Sequence, residues 1–255
     1  MFIEAHTHLD HYKHNELKRA IKEIDDKNII TINNSMDIPS YIKNIEISRK
    51  SKFIIPTFGI HPWNAAKYVD RLDAIEEYIY KTPMIGEIGL DFYWVKDKAQ
   101  FGAQRKVLSF FLQKAKEQNK VVNLHTKGAE QEILDLLDEY KIENAIIHWY
   151  SGPKDILKNM ICRNYYFTLG VEISYSDKIT AIAQEIPLNR LLTETDGPGA
   201  EEWISGKRGM PILIEKVVSN LSEIKGISKE EIKQIVFENF NTLVYEKDLL
   251  KGFDR

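Results

Sequence analysis

One cysteine, Cys162, stands in a chain of 255 residues, so no intrachain disulfide can form. That excludes the disulfide-stapled scaffolds and suits a reducing compartment. Cys162 falls in a helical stretch and is expected to be a small core residue. Long apolar runs are also missing: none approaches the roughly 20 residues that a membrane span requires. Met1 to His8 turns polar at once, without the apolar core of roughly 7–15 residues that marks a signal peptide. A soluble, cytoplasmic protein is the expectation. Nor is there an excess of basic charge: 35 Lys and Arg against 38 Asp and Glu give a formal net charge of -3. A protein that coats duplex nucleic acid needs a basic field; an enzyme that meets a few phosphates locally does not. Repeats, low-complexity tracts and Pro/Gly/Ser-rich linkers are absent, and nothing points to an obligate protein partner. Residues 1–255 therefore read as a single domain, and 43% hydrophobic residues suffice for a sizeable core.

What is present is alternation. Short β-type runs are followed by longer amphipathic stretches about eight times. The runs are Phe2–Ala5, Ile29–Asn33, Phe53–Phe58, Met84–Ile88, Val121–Leu124, Ala145–Ile147, Tyr166–Val171 and Arg190–Thr193. Most are continuously apolar, as parallel strands buried on both faces are. Helical spacing groups Leu17, Ile21 and Ile24; Leu108, Phe111, Leu112 and Ala115; and Ile133, Leu136, Leu137 and Tyr140. Two further helices are expected after the last strand. Leu213, Val217, Leu221 and Ile224 line one face of the first, and the second opens on the capping box Ser228–Glu231. The pattern predicts an α/β fold, a distorted TIM (β/α)8 barrel with an extra C-terminal helix. An open doubly wound sheet is the alternative, but no G-x-G-x-x-G follows the first strand.

Chemistry gathers where the strands end. Strand one closes on His6-Thr7-His8, strand three on Gly59-Ile60-His61-Pro62 and strand four on Gly86-Glu87-Ile88-Gly89-Leu90-Asp91. Strand five closes on His125, strand six on His148 with Ser151-Gly152 beyond, and strand eight on Glu194-Thr195-Asp196-Gly197-Pro198. In a barrel these ends share one mouth. Imidazole and carboxylate are the ligands of zinc and related divalent ions. His6 and His8, two apart on a strand, point to one face and can reach one ion. Glu87 has two oxygens and can bridge two ions, with His125 and His148 on the second and Asp196 on the first. Two ions about 3.5–4 Å apart would activate a water and polarise a phosphorus or carbonyl centre. A single strand-end histidine is usually structural; five of the seven at strand ends, joined by two carboxylates, form a pattern. His11 and His14 read as loop or helix-start surface residues. Asp10 is either a hydrogen-bond partner of His6 or His8 or a turn cap.

Taken together, these motifs resemble the TatD-type metal-dependent hydrolases, the TatD DNases of the amidohydrolase-like superfamily, over nearly the whole chain. Arg208-Gly209, Ile224-Lys225-Gly226-Ile227-Ser228 and Asn239 resemble the family's closing segment. The resemblance implies a binuclear site in which His6, His8, Glu87 and Asp196 bind one metal and Glu87, His125 and His148 the other. It also implies Asp196 as the base for the attacking water, and His61 beside the substrate phosphate. The reaction implied is hydrolysis of DNA phosphodiester bonds, 3′–5′ exonuclease-like. Zinc, magnesium and manganese all occur in the family, and the histidine-rich set favours zinc by softness. The sequence departs from the family pattern at the substrate side. Lys127 stands where an Arg is common, Trp149-Tyr150 where Cys-Phe is usual, and Gly199 where a Tyr is usual. Arg208-Gly209-Met210-Pro211 replaces Arg-Asn-Glu-Pro.

DNA or a small phosphodiester is the expected partner. His61, Lys127, Ser151, Lys207 and Arg208 are candidate phosphate contacts. Trp63, Phe92, Tyr93, Trp94, Trp149 and Tyr150 follow strand ends and are candidates to stack on bases. The alternative is an amidohydrolase-type enzyme acting on a small ester, amide or phosphate; Leu124-His125 stands where many of those carry a lysine. A histidinol-phosphatase-like enzyme also opens on H-x-H, but Gly-Glu-Ile-Gly-Leu-Asp favours the TatD type. A degenerate, non-enzymatic barrel would have lost ligands, and all six are present.

Overall fold

The computed structural model describes residues 1–244; the rest of the span expected to form one domain, 245–255, lies outside the described residues. Strands β1 (Phe2–Thr7), β2 (Ile29–Asn34), β3 (Ile54–Thr57), β4 (Ile85–Gly89), β5 (Val122–His125), β6 (Ala145–Ile147), β7 (Tyr166–Leu169) and β8 (Leu191–Thr193) fall on the expected runs. Helices α1 (His14–Lys27), α2 (Ile38–Ser48), α3 (Ala65–Tyr68), α4 (Asp73–Lys81), α5 (Phe101–Glu117), α6 (Glu130–Glu139), α7 (Lys154–Cys162) and α8 (Asp177–Glu185) lie between them. After β8 come α9 (Gly199–Ser205), α10 (Ile214–Lys225) and α11 (Lys229–Val244).

Every strand pair is parallel, and neighbours in sequence are neighbours in space: β1-β2-β3, then β4 through β8. This is an α/β barrel of the (β/α)8 type, distorted at two seams. Between β3 and β4 the ladder shrinks to the single bridge Phe58–Ile85. Just beyond that bridge the chain needs glycine: a Cβ on Gly59 would lie 2.3 Å from the Glu87 carbonyl oxygen. Between β8 and β1 side chains and strand-end loops do the joining. The Glu4 carboxylate accepts the Thr195 amide at 2.8 and 2.9 Å, and the Asp196 amide donates to the His6 carbonyl at 3.0 Å. The Thr7 hydroxyl donates to the Gly197 carbonyl at 2.9 Å. These bonds tie both ends of the first and last motifs into one wall.

The helices bury the faces that their spacing foretells. Val107, Leu108, Phe111, Leu112 and Ala115 of α5 are buried, each large side chain contributing about 1.5–3 kcal/mol. Helix α11 opens on its capping box, with the Ser228 amide donating to Glu231 at 2.8 Å and the Glu231 amide to the Ser228 hydroxyl at 3.2 Å. Among the described residues three helices follow β8, against the two expected. Helix α9 is only seven residues long and its apolar residues show no repeat to read. Cys162 ends α7 and is exposed, which corrects the core expectation: the apolar face of α7 is taken by Ile156, Leu157 and Met160. No described helix is long and apolar enough to cross a membrane.

Asn239 is the clasp that holds α11 to the barrel. Its amide group donates to the Leu188 and Leu191 carbonyls at 2.7 and 2.8 Å, one of which begins β8. Asn239→Ala leaves both acceptors without that donor and is expected to cost about 2 kcal/mol. Urea unfolding followed by circular dichroism measures it; a loss under about 0.5 kcal/mol would remove the clasp role.

Candidate metal centre at the barrel mouth

His6, His8, His61, Glu87, His125 and His148 are all buried and meet at the C-terminal mouth of the barrel. Glu87, at the centre, is 2% exposed. Its two oxygens face different neighbours. Oε2 lies 3.3 Å from His8 Nε2 and 3.5 Å from His6 Nε2. Oε1 lies 3.0 Å from His125 Nδ1, 3.5 Å from His61 Nε2 and 3.7 Å from His148 Nε2. Asp196 Oδ1 joins the first group, 3.6 Å from His8 Nε2 and 3.9 Å from His6 Nε2. The six sequence candidates therefore converge, and Glu87 stands between two sets of donors.

Hydrogen bonds away from the centre fix which nitrogen each imidazole offers. His6 Nδ1 lies 3.0 Å from the Asn123 side-chain oxygen, and Asn123 spends its amide group on the Ala5 carbonyl. His8 Nδ1 meets the Asn34 carbonyl at 3.1 Å, and His148 Nδ1 meets Glu194 Oε2 at 2.9 Å. His125 is turned the other way, with Nε2 on Asp91 Oδ2 at 3.1 Å. All four partners are acceptors, so each neutral ring donates outward and aims a lone pair at the centre, as a metal ligand must. His61 reverses this. Its Nδ1 accepts the Trp63 amide at 3.2 Å, so the proton sits on the nitrogen facing the centre. His61 is built to donate there.

The field of the site calls for positive charge. Burial opposes ionisation of Glu87, yet His61, His6 and His125 hold it well below the usual carboxylate range. Burial likewise works against charge on His6, but Glu87, with Asp196 and Glu194 behind it, lifts that imidazole to about 10. Burial and the charge of His6 push His148 well down, and burial raises Asp196. Burial raises Glu194 to about 7, and its Oε1 makes no hydrogen bond to any described residue. Four lone pairs, ionised carboxylate oxygens and an anionic field fit divalent cations in place of the proton that His6 otherwise draws.

A cavity of about 1180 Å³ opens above these groups. Lys127 and Ser151 meet on its wall: Lys127 Nζ donates to the Ser151 hydroxyl at 2.9 Å and to the Trp149 carbonyl at 2.7 Å. Other expectations are corrected. Arg208 is held by Glu202, by Glu16 at 3.5 Å and by the His11 carbonyl at 2.6 Å, away from the cavity wall. Lys207 is exposed and also off that wall. Phe92 stacks on Phe101 at 4.1 Å, and Tyr150 is fully buried, so neither ring faces the cavity. His11 does line it, stacked on His8 at 5.1 Å; its place on a turn hid that contact. His14 is at the surface as expected. Asp10 lies 3.7 Å from His11 and supports neither His6 nor His8. Asp91, Asn123, Glu194, Glu172 and Trp203 had no assigned role in the sequence. Asp91 and Glu194 sit inside the quoted motifs and could have been found there; Asn123 shares the lumen face of β5 with His125, two residues on. Glu172 and Trp203 carry no such signal.

The sequence profile described as TatD related DNase matches residues 3–245. The chain belongs to the TatD-related DNase family. It is 28% identical to the uncharacterized metal-dependent hydrolase YabD of Bacillus subtilis, covering 95% of this chain and 98% of that protein. It is 29% identical to the human deoxyribonuclease TATDN3 over 75% of this chain and 74% of the relative. Among solved structures, the TatD homolog YJJV of Escherichia coli superposes with a TM-score of 0.85 at 23% identity. That match spans 96% of this chain and 98% of the other, and it shows a shared TatD barrel.

Asp91 is the most heavily used of the TatD-motif carboxylates outside the centre. It takes His125 Nε2, the Trp63 indole at 2.7 Å and the amides of Tyr93 and Trp94 at 3.0 and 2.7 Å. These donors hold it at about 2 against the effect of its burial. Asp91→Ala strands all four and is expected to cost about 3 kcal/mol of stability. Guanidinium unfolding reads this directly, and a cost below about 1 kcal/mol would contradict it.

Proposed function

We propose that this chain is a divalent-metal-dependent hydrolase that cleaves DNA phosphodiester bonds. The observation that carries the reading is Glu87, whose two oxygens each face a separate set of imidazole nitrogens. The names of the curated relatives, metal-dependent hydrolase and deoxyribonuclease, support it from outside the chain. His6, His8, Glu87 and Asp196 would hold one cation; Glu87, His125 and His148 would hold the second. Zinc suits the imidazole-rich set best, with magnesium and manganese as the harder alternatives. Bound cations supply Lewis-acid chemistry, lowering the pKa of water and neutralising charge that develops on phosphoryl oxygens.

The protein's own groups do the rest. Asp196 keeps 16% of its side chain open to the cavity, and its raised pKa makes it a better base. It takes the proton of the attacking water as that oxygen bonds to phosphorus and the bond to the leaving oxygen breaks. His61 presents an N–H to a non-bridging phosphate oxygen, and burial lowers its pKa to about 4, so it does so as a neutral donor. Lys127 and the Ser151 hydroxyl meet the phosphate from the other wall, Lys127 as a point charge.

Asp196→Asn should leave metal content nearly unchanged and cut turnover by a factor of about 100 or more. Assays with zinc, manganese and magnesium on single-stranded DNA and bis-p-nitrophenyl phosphate measure this, and near-wild-type turnover removes Asp196 as base. Elemental analysis of purified protein should find up to two divalent ions per chain, and fewer in Glu87→Ala. Undiminished metal content in that variant ends the bridging role, and hydrolysis of esters or amides alone would replace DNA as the substrate.

A further inference from the structure

All four tryptophans of the chain, Trp63, Trp94, Trp149 and Trp203, line the cavity above the histidines. Four of the eight large apolar side chains exposed among the described residues stand there too: Trp63, Tyr93, Trp94 and Trp203. Single exposed aromatics need no explanation, but a cluster at one mouth does. The rings meet edge to face. Trp149 and Trp203 are 6.1 Å apart at 71°, and Trp94 and Trp203 are 5.7 Å apart at 87°. None of these three is laid flat on another, so their π faces are not spent on mutual stacking.

Trp149 is the most tightly placed of them. Its φ of 40° is in the left-handed region, costly for so bulky a residue and characteristic of functional sites. Four contacts hold it there. Its amide donates to the Thr168 hydroxyl at 3.0 Å, and its carbonyl accepts from Lys127. Its indole N–H donates to Glu172, and the Lys127 ammonium lies 4.7 Å from its ring centre.

We propose that Trp149, Trp203 and Trp94 form a stacking subsite for an unpaired nucleobase next to the scissile phosphate. Lys127, set against the Trp149 ring, takes the phosphate of that nucleotide, and Glu172 is a positioning residue that fixes the indole. The inference rests on the phosphodiesterase reading and deepens it. Stacking accepts any base, because every base has a π face, and it excludes a base still paired in a duplex.

The test uses the purified, metal-loaded protein. Since every tryptophan lines the cavity, intrinsic fluorescence reports on it. The probes are a phosphorothioate oligothymidylate of about eight nucleotides, an abasic backbone of the same length, and the oligomer annealed to its complement. The oligothymidylate is expected to quench the fluorescence and to bind at least about tenfold more tightly than the other two. Trp149→Ala and Trp203→Ala should each lower that affinity by about 5- to 100-fold and leave the abasic backbone unaffected. Trp149→Phe should restore part of the loss. Glu172→Ala should weaken the oligomer alone, with Glu172→Gln closer to wild type. Equal affinity for oligothymidylate and abasic backbone overturns the subsite. So does wild-type affinity in Trp149→Ala or, if that variant does not fold, in the surface variant Trp203→Ala. Hydrolysis of bis-p-nitrophenyl phosphate without base-dependent binding overturns the subsite and leaves the phosphodiesterase reading standing. Absence of both hydrolysis and binding overturns the two together.

Discussion

A carboxylate that is 2% exposed is an expensive thing to keep ionised, and Glu87 is kept ionised by imidazoles on every side. Much of the barrel mouth can be understood as the means of bringing those imidazoles to it. They come from the ends of β1, β3, β5 and β6, none adjacent in sequence to Glu87. Close packing of backbone is needed for the strand ends to converge. Gly59 approaches the Glu87 carbonyl, and Gly89, at a φ of 150°, passes the His125 carbonyl where a Cβ would lie 1.9 Å away. The glycines in the two motifs are thus part of the same arrangement as the imidazoles and Glu87: they let the backbone through so that the side chains can meet.

The four outward acceptors turn a cluster of histidines into a set with defined lone pairs. Asn123, the Asn34 carbonyl, Glu194 and Asp91 come from four different strands or strand ends. Each selects one nitrogen of its ring. The same logic separates His61 from the rest, because its partner is a donor, the Trp63 amide. Candidate ligand and donor are the same residue type at the same kind of position, and only the partner on the far side tells them apart.

Above this centre the chain follows its own course. Lys127, Trp149 and Ser151 form one connected group, and the loop carrying Trp94 and helix α9 carrying Trp203 bring aromatic rings onto it. Arg208, beside them in the linear reading, is committed to Glu16, Glu202 and the His11 carbonyl and braces the outside of the mouth instead. Charge alone did not distinguish Lys127 on the cavity wall from Arg208 off it, because both are half-buried cations bonded to backbone carbonyls and only the fold says where each stands.

The eight strands and the residues at their ends were legible in the sequence. Buried parallel strands must be apolar runs, and ligand residues must follow them if they are to reach a common mouth. That His6, His8, Glu87, His125, His148 and Asp196 meet at one mouth followed from their places at strand ends. Tertiary structure decided which nitrogen each histidine presents, since that depends on acceptors as much as 117 residues away in the chain. It decided that α9 forms and carries Trp203 to the rim, because seven residues hold too few turns for an apolar repeat. It also decided that Tyr150 is buried while the preceding Trp149 turns to the cavity, through a left-handed backbone angle that no pattern of residue types encodes.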